Sequence, residues 1–279
     1  MSVLLSIIIP TFNGENTIEE VLNNLASQIK GKKLQKMLEI VVTDDSSTDN
    51  TFPIAKKIAS RCSFLHVFKN KKNLGMDRNF VQSMLNARGK YVWFCGQDDH
   101  LMDGVLEIVI GLLTNNKNVQ NVYLDYSQYD VGKKQVVCSS MIDRQLIHES
   151  KEDIIYVKNA DEYFSVIVDA PSFLPATVVR LDKKLLKKLP PFLNTHYVQY
   201  AYFTLGLNEG TTIILRRQLI QGPIPVDGWQ KNGNSLYRIA VGKLYCQYLL
   251  NSRFDAILPR RLFNEQKKEF VYNYFKLLL

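Results

Sequence analysis

The chain lacks any apolar run of the roughly 20 residues that a membrane-spanning helix needs. Its N-terminal apolar stretch is short, has no basic leader and runs straight into Pro10. These features predict a first β-strand rather than a signal peptide. We therefore expect a cytoplasmic protein that is soluble or held at a membrane surface without crossing it.

Cysteine and histidine are scarce, with four of each in 279 residues. The cysteines are far apart and show no paired spacing, which predicts free, reduced thiols and no zinc signature. Lys and Arg outnumber Asp and Glu by 35 to 27, for a formal net charge of +8. This balance favours acidic partners such as nucleotides or anionic lipids. Nucleic acid is the least favoured, because the basic residues are dispersed and form no recognition motif.

The first half of the chain alternates strand-like and helix-like segments. Runs prone to β-structure at 3–9, 38–43, 63–68 and 90–95 are separated by amphipathic stretches at about 15–30, 49–60, 76–88 and 103–115. This order predicts an α/β fold with a mostly parallel central sheet flanked by helices. Oxygen atoms of residues 47–49 are expected to cap the second helix, and Asp103 the fourth.

The second half follows another pattern. Segments that favour β-structure at 119–126 and 134–139 precede a polar stretch at 143–161, and helical periodicity returns near 160–168. No low-complexity linker separates the halves. We predict a nucleotide-binding half over 1–115, an acceptor-binding half of the same domain over 116–225, and a helical C-terminal extension over 226–279.

Two acidic pairs, Asp44-Asp45 and Asp98-Asp99, each follow a strongly apolar, β-prone run. The carboxyl ends of strands in an open parallel sheet border the ligand crevice. The pairs therefore predict one shared site that holds a cation and polar hydroxyl groups. The alternative, that these acids only cap helices or form solvated turns, stays open at this point.

Four motifs in order resemble the family-2 inverting glycosyltransferases with the GT-A fold, of the bacterial surface-polysaccharide type. They are Ser6–Asn13, Glu39–Thr51, Asn73–Asn79 and Gly96–Asp99. The resemblance is firm over residues 3–115 and loose beyond them. Two positions depart from the family pattern: Ser46 stands where glycine is common, and Gln97 replaces the first acid of the metal-binding Asp-x-Asp motif.

The resemblance implies a nucleotide-sugar donor, most simply a UDP-sugar, bound with Mn²⁺ or Mg²⁺. Asp99 would ligate the metal, Asp98 would contact the ribose or assist the metal, and Asp45 would accept a hydrogen bond from the base. Arg78 would add a guanidinium to the donor site or pair with Asp77. The remaining nucleotide-binding residues would be Pro10, Thr11, Phe12 and Asn13.

An inverting transfer also needs a general base that takes the proton of the acceptor hydroxyl. The acid that family members carry at the start of a helix in the second half is absent here. His196 is the expected substitute, at a helix start capped by Asn194 or Thr195. Three other acids compete with it as candidate bases: Asp169, Glu162 and Glu209. If none of these residues serves, the chain is a catalytically inactive nucleotide- or carbohydrate-binding relative.

The C-terminal part offers two further candidates. The resemblance implies that Trp229 and Lys231 lie in a loop that covers the diphosphate; packing of this segment against the C-terminal helices is the alternative. Apolar positions at helical spacing after residue 260 are interleaved with Lys and Arg, which suits an interfacial helix on an anionic membrane or a homo-oligomer contact. The resemblance thus implies a glycosyltransferase for a glycan or lipid-linked glycan acceptor, at the inner face of the cell membrane. A nucleotidyltransferase is disfavoured, because the loop after the first strand has no basic residue.

Overall fold

We describe the fold from a computed structural model of the 279-residue chain. The structure describes residues 3–130, 132–224 and 233–254, with the backbone alone at 223–224 and 233–240. The predicted loop residues Trp229 and Lys231, and the predicted interfacial helix after 260, lie outside the described residues.

Strands and helices alternate along the chain. The strands are β1 Leu5–Thr11, β2 Leu38–Asp44, β3 Leu65–Lys69, β4 Tyr91–Phe94, β5 His100–Leu101, β6 Val119–Asp130, β7 Gln135–Cys138, β8 Ile154–Val157, β9 Thr177–Arg180 and β10 Thr211–Ile224. The helices are α1 Ile18–Gln28, α2 Gly31–Met37, α3 Thr51–Ala59, α4 Met76–Asn86, α5 Val105–Asn115, α6 Met141–Gln145, α7 Ala160–Val166, α8 Lys183–Leu186, α9 Val198–Gly206 and α10 Gly233–Phe254. Short 3₁₀ turns span Leu174–Ala176 and Pro190–Phe192.

The described strands form one ten-stranded sheet. Its main path runs β3-β2-β1-β4-β9-β6-β10-β5, with β7 attached to β6 and β8 to β10. The pairs β3-β2, β2-β1, β1-β4 and β6-β10 are parallel, whereas β9 runs antiparallel between β4 and β6. The prediction of an α/β fold with a mostly parallel sheet is confirmed, and both predicted halves contribute strands to this sheet.

The central strands are buried on both faces, which explains their continuous apolar sequence. Residues 7–9 of β1 and 40–42 of β2 are fully buried, as is Trp93 of β4. The Trp93 indole N–H donates to the carbonyl oxygen of Pro175 at 2.8 Å, so a residue of the first half bonds directly to the second. Among the described residues, no helix has both the length and the apolarity needed to span a bilayer.

Several local expectations need correction. Helix α2 was not predicted, since its Lys-rich sequence carries no buried residue that would produce a periodic apolar face. Asp103 does not cap the helix after β4. The N-cap of α5 is Gly104, whose left-handed backbone (φ 81°) suits glycine. Asp49 does contribute at α3, because its Oδ1 accepts the Thr51 N–H at 3.0 Å.

A buried acid joins the first strands at the edge opposite the strand-end acids. Glu39, at the start of β2, is 1% exposed. Its carboxylate accepts from the Ser6 hydroxyl at 2.6 Å and from the backbone N–H and Nε of Arg88 at 2.7 and 2.8 Å. Each of these hydrogen bonds satisfies a charge that burial would otherwise penalise.

We expect Glu39→Gln to lower the free energy of unfolding by about 2 kcal/mol, because the amide accepts fewer of these hydrogen bonds and loses its charge. Urea denaturation measures the change. The matched control is Glu19→Gln on the exposed face of α1, which should stay within about 0.5 kcal/mol of the original chain. Equal stability of the two variants would contradict the structural role of Glu39.

Candidate functional site

The two acidic pairs lie on neighbouring strands at one edge of the sheet. Strand β1 lies between β2 and β4, and both pairings are parallel. Thr11, the last residue of β1, stands opposite Asp44 of β2. The carboxyl ends of all three strands therefore open onto the same edge, which is where ligands bind in sheets of this kind.

Asp45 holds the loop that follows β3. It is 2% exposed, and its Oδ1 accepts from the side-chain amide of Asn70 and the N–H of Leu74, both at 2.8 Å. Its Oδ2 accepts from the N–H of Gly75 at 2.9 Å. A carboxylate that receives several hydrogen bonds is rigidly placed.

Asn79 ties the same edge together from α4. Its amide donates to the carbonyl oxygen of Thr43 at 3.0 Å and, more weakly, to that of Thr11 at 3.5 Å. Its Oδ1 accepts from Asn70 at 2.9 Å. The ends of β1 and β2 and the loop after β3 are thus fixed relative to one another.

Gln97 binds the loop after β1. Its Oε1 accepts from the Thr11 hydroxyl at 2.5 Å and the Phe12 N–H at 2.9 Å, while its amide donates to the Phe12 carbonyl oxygen at 3.3 Å. A Cβ at position 14 would lie 2.6 Å from the Gln97 Cδ, so a larger residue there would displace the Gln97 amide. We expected Gln97 to matter as a missing negative charge. In the structure the Gln97 amide fixes the loop after β1, and a glutamate could not donate the hydrogen bond to the Phe12 carbonyl oxygen.

Asp98 and Asp99 form a small cluster of oxygen atoms around Gly96. A Cβ at Gly96 would lie 2.7 Å from Asp99 Oδ2 and 3.0 Å from Asp98 Oδ1. Asp98 is exposed, whereas Asp99 is 7% exposed. Burial raises the pKa of the Asp99 carboxyl to about 7; the Gly96 N–H opposes this rise and the Asp98 charge adds to it.

These two carboxylates fit a hard divalent cation, which prefers oxygen ligands. Within the described part of the chain, no group of three or more His, Cys, Asp or Glu residues is arranged to hold a metal ion. Mg²⁺ ordinarily binds through one or two carboxylates, and phosphate oxygens of the substrate supply further ligands. The donor set of Asp98 and Asp99 matches that mode.

The candidate base lies in a loop whose backbone is hydrogen-bonded to α4. His196 is half-buried, and its backbone N–H donates to Asp77 Oδ2 at 2.9 Å. The following helix α9 begins at Val198, with Tyr197 as N-cap, so the expected cap by Asn194 or Thr195 is wrong. The Val198 N–H is instead bound by Asp77 Oδ1 at 3.4 Å.

The three acids that compete with His196 are held by structural contacts. Asp169 accepts from the Tyr200 hydroxyl at 2.8 Å and from Lys243 at 2.5 Å. Glu162 accepts the Lys158 N–H at 2.8 Å at the start of α7, and Glu209 pairs with Lys188 at 3.7 Å on the surface.

Arg78 also contacts the loop of the candidate base. Its Nη1 donates to the Asn194 side-chain oxygen at 2.7 Å. The expected pairing with Asp77 is not the contact seen, because the Asp77 carboxylate receives the N–H groups of His196 and Val198. Arg78, in the first turn of α4, thus joins that helix to the loop of the candidate base.

Backbone strain is concentrated in the loops around this edge. Asn13, Ser46, Asn194 and His196 all have left-handed backbones, with φ between 48° and 78°. Such conformations cost of order 1 kcal/mol each outside glycine, and strained residues often cluster at functional sites. Glycine adopts a left-handed backbone without steric cost, so the serine at position 46 carries strain that a glycine would remove.

A model of glycosyl transferase family 2 matches residues 6–166 of the chain. The chain belongs to glycosyl transferase family 2. The predicted resemblance is thereby confirmed. Residues 6–166 include Asp45, Gln97 and both carboxylates of the oxygen cluster, while His196 lies beyond the matched segment.

Two relatives illustrate the similarity within family 2. The chain is 32% identical over 163 residues to the abequosyltransferase RfbV of Salmonella typhimurium, covering 56% of this chain and 44% of RfbV. It is 27% identical over 163 residues to the GalNAc(5)-diNAcBac-PP-undecaprenol beta-1,3-glucosyltransferase of Campylobacter jejuni, covering 58% of this chain and 50% of that protein. The chain thus spans about half the length of these relatives.

Solved structures show the GT-A fold. S. aureus TarS 1-349, in complex with UDP-GlcNAc, superposes with a TM-score of 0.64 at 21% identity, covering 98% of this chain and 73% of that one. The mannosyltransferase PcManGT from Pyrobaculum calidifontis, in complex with GDP-Man and Mn²⁺, gives a TM-score of 0.59 at 17% identity, covering 99% of this chain and 70% of that one. At these identities the likeness concerns the fold alone.

Sequence reasoning missed the contacts of Asn70, Asp77 and Asn79. Asn79 lies in the third family-2 motif and Asn70 lies just before it, so the motif could have indicated that these two residues contact the site. Asp77 is in that motif too, but its partners lie about 120 residues further along, at 196 and 198. Nothing in the local sequence indicates that contact.

We expect Ser46→Gly to raise the free energy of unfolding by about 0.5–1 kcal/mol, because glycine adopts the left-handed backbone without steric cost. Ser46→Ala keeps that cost and is the control, with no gain expected. Urea denaturation of the three chains measures both changes. A glycine variant no more stable than the alanine variant would rule out strain at this position.

Proposed function

We propose that this chain transfers a glycosyl group, with inversion, from a nucleotide-sugar donor to a hydroxyl of a glycan or lipid-linked glycan. A UDP-sugar is the proposed donor. The observation that carries the proposal is the convergence of Asp45, Asp98 and Asp99 on one edge of the sheet, on either side of the end of β1. That arrangement supports a nucleoside beside Asp45 and a cation-bound diphosphate beside Asp98 and Asp99.

The nucleoside would lie against the loop after β1. Pro10 is half-buried and Phe12 is 44% exposed, so they offer apolar surface to a base. Asn13, the next residue, is exposed. Asp45 retains acceptor capacity on Oδ2, which receives one hydrogen bond from Gly75 and can accept another from a base N–H. Gln97 fixes this loop before the donor arrives, which reduces the cost of ordering it on binding.

Asp99, with Asp98 beside it, would hold Mn²⁺ or Mg²⁺. When bound, such a cation acts as a Lewis acid and neutralises charge on the departing nucleoside diphosphate. Asp98 is exposed and remains available to the ribose or to the metal. Arg78, in the first turn of α4, would add a positive charge beside the diphosphate.

His196 would act as the general base. Its ring would take the proton of the acceptor hydroxyl as that oxygen forms its bond to the anomeric carbon, while the bond from that carbon to the diphosphate breaks. A histidine can accept a proton near neutral pH. Because the oxygen enters opposite to the leaving group, the anomeric configuration inverts.

The acceptor and the place of action are proposed from the relatives. The name of the C. jejuni protein states an undecaprenol-linked substrate. A lipid-linked glycan would bring this chain to the inner face of the cell membrane, in contact through the interfacial helix that the sequence predicts after residue 260. Flotation with anionic liposomes tests this part, with a chain ending near residue 255 for comparison; equal flotation of both chains would contradict membrane contact through the C-terminal region.

A catalytically inactive binding protein is the second candidate. Two observations favour it: Gln97 replaces an acid of the Asp-x-Asp motif, and a histidine replaces the usual base. Such a protein would bind the donor but release no nucleoside diphosphate, not even by slow hydrolysis of the donor. Measuring that release for a panel of nucleotide sugars separates the two candidates.

Calorimetric titration of UDP, GDP, CDP and dTDP, each with Mn²⁺ and with EDTA, tests the donor site. We expect metal-dependent binding of one nucleotide, with UDP favoured, and its loss in Asp99→Ala. The matched control is Asp103→Ala, an exposed acid four residues away, which should bind as the original chain does. Absence of binding by every nucleotide would refute the donor-site assignment.

Metal-dependent donor binding should weaken in acid. The pKa of about 7 at Asp99 means that its carboxyl is mostly charged at pH 8 and mostly protonated at pH 6, and only the charged form is a good metal ligand. We expect affinity for a Mn²⁺-bound UDP-sugar to fall about tenfold from pH 8 to pH 6. A UDP-sugar is the right probe because its diphosphate has no terminal group that titrates there. A flat profile would contradict metal ligation by Asp99.

A further inference from the structure

Asp77 caps a helix that belongs to the other half of the molecule. It is 4% exposed in the first turn of α4, and its two carboxylate oxygens accept the N–H groups of His196 and Val198. Val198 is the first residue of α9, whose leading N–H groups have no partner within the helix. An acid from 119 residues earlier in the chain thus does what a local cap residue usually does.

The loop held by Asp77 has a backbone that its own sequence does not favour. Asn194 and His196 are left-handed, with φ of 78° and 64°. Surrounding contacts must hold such residues in place. On the far side of the loop, α10 packs so closely that a Cβ on Gly242 would collide with the Thr195 carbonyl oxygen. The loop is therefore fixed between α4 and α10.

The start of α4 is also hydrogen-bonded to Asp45, which follows β2. Asp45 accepts the N–H groups of Leu74 and Gly75, and Gly75 is the N-cap of α4. Arg78, next to Asp77, donates to Asn194. The start of α4 therefore contacts both Asp45, at the proposed donor site, and the loop of the candidate base.

We propose that Asp77 is a positioning residue for glycosyl transfer, which fixes the His196 backbone relative to Asp45 and the proposed donor site. The proposal rests on the proposed function, because it assigns His196 a part in the reaction. Two features support a carboxylate at this place. It accepts two N–H groups at once, which one amide oxygen does less well, and its charge is favourable at the N-terminus of α9. Burial raises the pKa of Asp77, and these N–H groups oppose the rise.

Asp77→Asn tests the proposal. We expect the affinity for the nucleotide that binds the original chain, measured by calorimetry with Mn²⁺, to change less than about twofold, because Asp45, Asp98 and Asp99 stay in place. Release of nucleoside diphosphate from the corresponding nucleotide sugar should fall on the order of 100-fold, because small displacements of a catalytic group have effects of that size. The matched control is Asp161→Asn, an exposed acid in the first turn of α7, which should keep full turnover.

Hydrogen exchange gives a readout that does not depend on turnover. In Asp77→Asn, amide exchange should rise across residues 194–198 and stay unchanged at Leu74 and Gly75. If the asparagine variant does not fold, Asp77→Glu takes its place, since it keeps the charge and displaces it by one methylene. The same pattern is expected: donor binding kept, turnover reduced.

The outcomes separate the two proposals. An original chain that binds no nucleotide, or binds one without releasing product, overturns the proposed function and with it the positioning role. An active original chain with an equally active Asp77→Asn variant overturns the positioning role alone. Reduced turnover accompanied by an equal loss of donor affinity also overturns it, since Asp77 would then support the fold of the donor site.

Discussion

The site depends on the buried carboxylate of Asp45. Burying a charge is costly unless hydrogen bonds replace the lost water, and Asn70, Leu74 and Gly75 supply three of them. These bonds join the end of β2 to the loop after β3 and set where α4 begins. The position of α4 in turn sets Asp77 and, through it, the loop at 194–198. One acid at a strand end thus aligns elements from both halves of the chain.

The loops at the strand ends contain unfavourable backbone conformations that hold their side chains in fixed positions. Asn13, Ser46, Asn194 and His196 hold left-handed conformations, and Asp99 is buried close to the charge of Asp98. Strain and crowded charge of this kind are stabilised only by a rigid surrounding structure. The buried strands β1, β2 and β4 provide it, together with Gln97, which closes the loop after β1. The favourable free energy of packing these strands offsets the cost of holding polar groups in fixed positions.

Much of the first half could be predicted from sequence because its signals are local. Buried parallel strands produce continuous apolar runs, and the acids directly after these runs lie at the carboxyl edge of the sheet. The antiparallel insertion of β9 between β4 and β6 could not be predicted, since it depends on pairing between distant segments. Helix α2 gave no periodic signal because no side chain in it is buried. The contacts of Gln97 and Asp77 could not be predicted, because the partners of both residues lie far away in sequence. Without those partners, Gln97 is read from sequence only as the absence of a negative charge.

The most direct test of the account is a crystal structure of the chain with Mn²⁺ and the nucleotide that binds it. The account requires the base against Pro10–Asn13 and within hydrogen-bond distance of Asp45, with the metal on Asp99. A nucleotide bound elsewhere, or a metal that does not contact Asp99, would contradict the assignment of this edge of the sheet as the donor site.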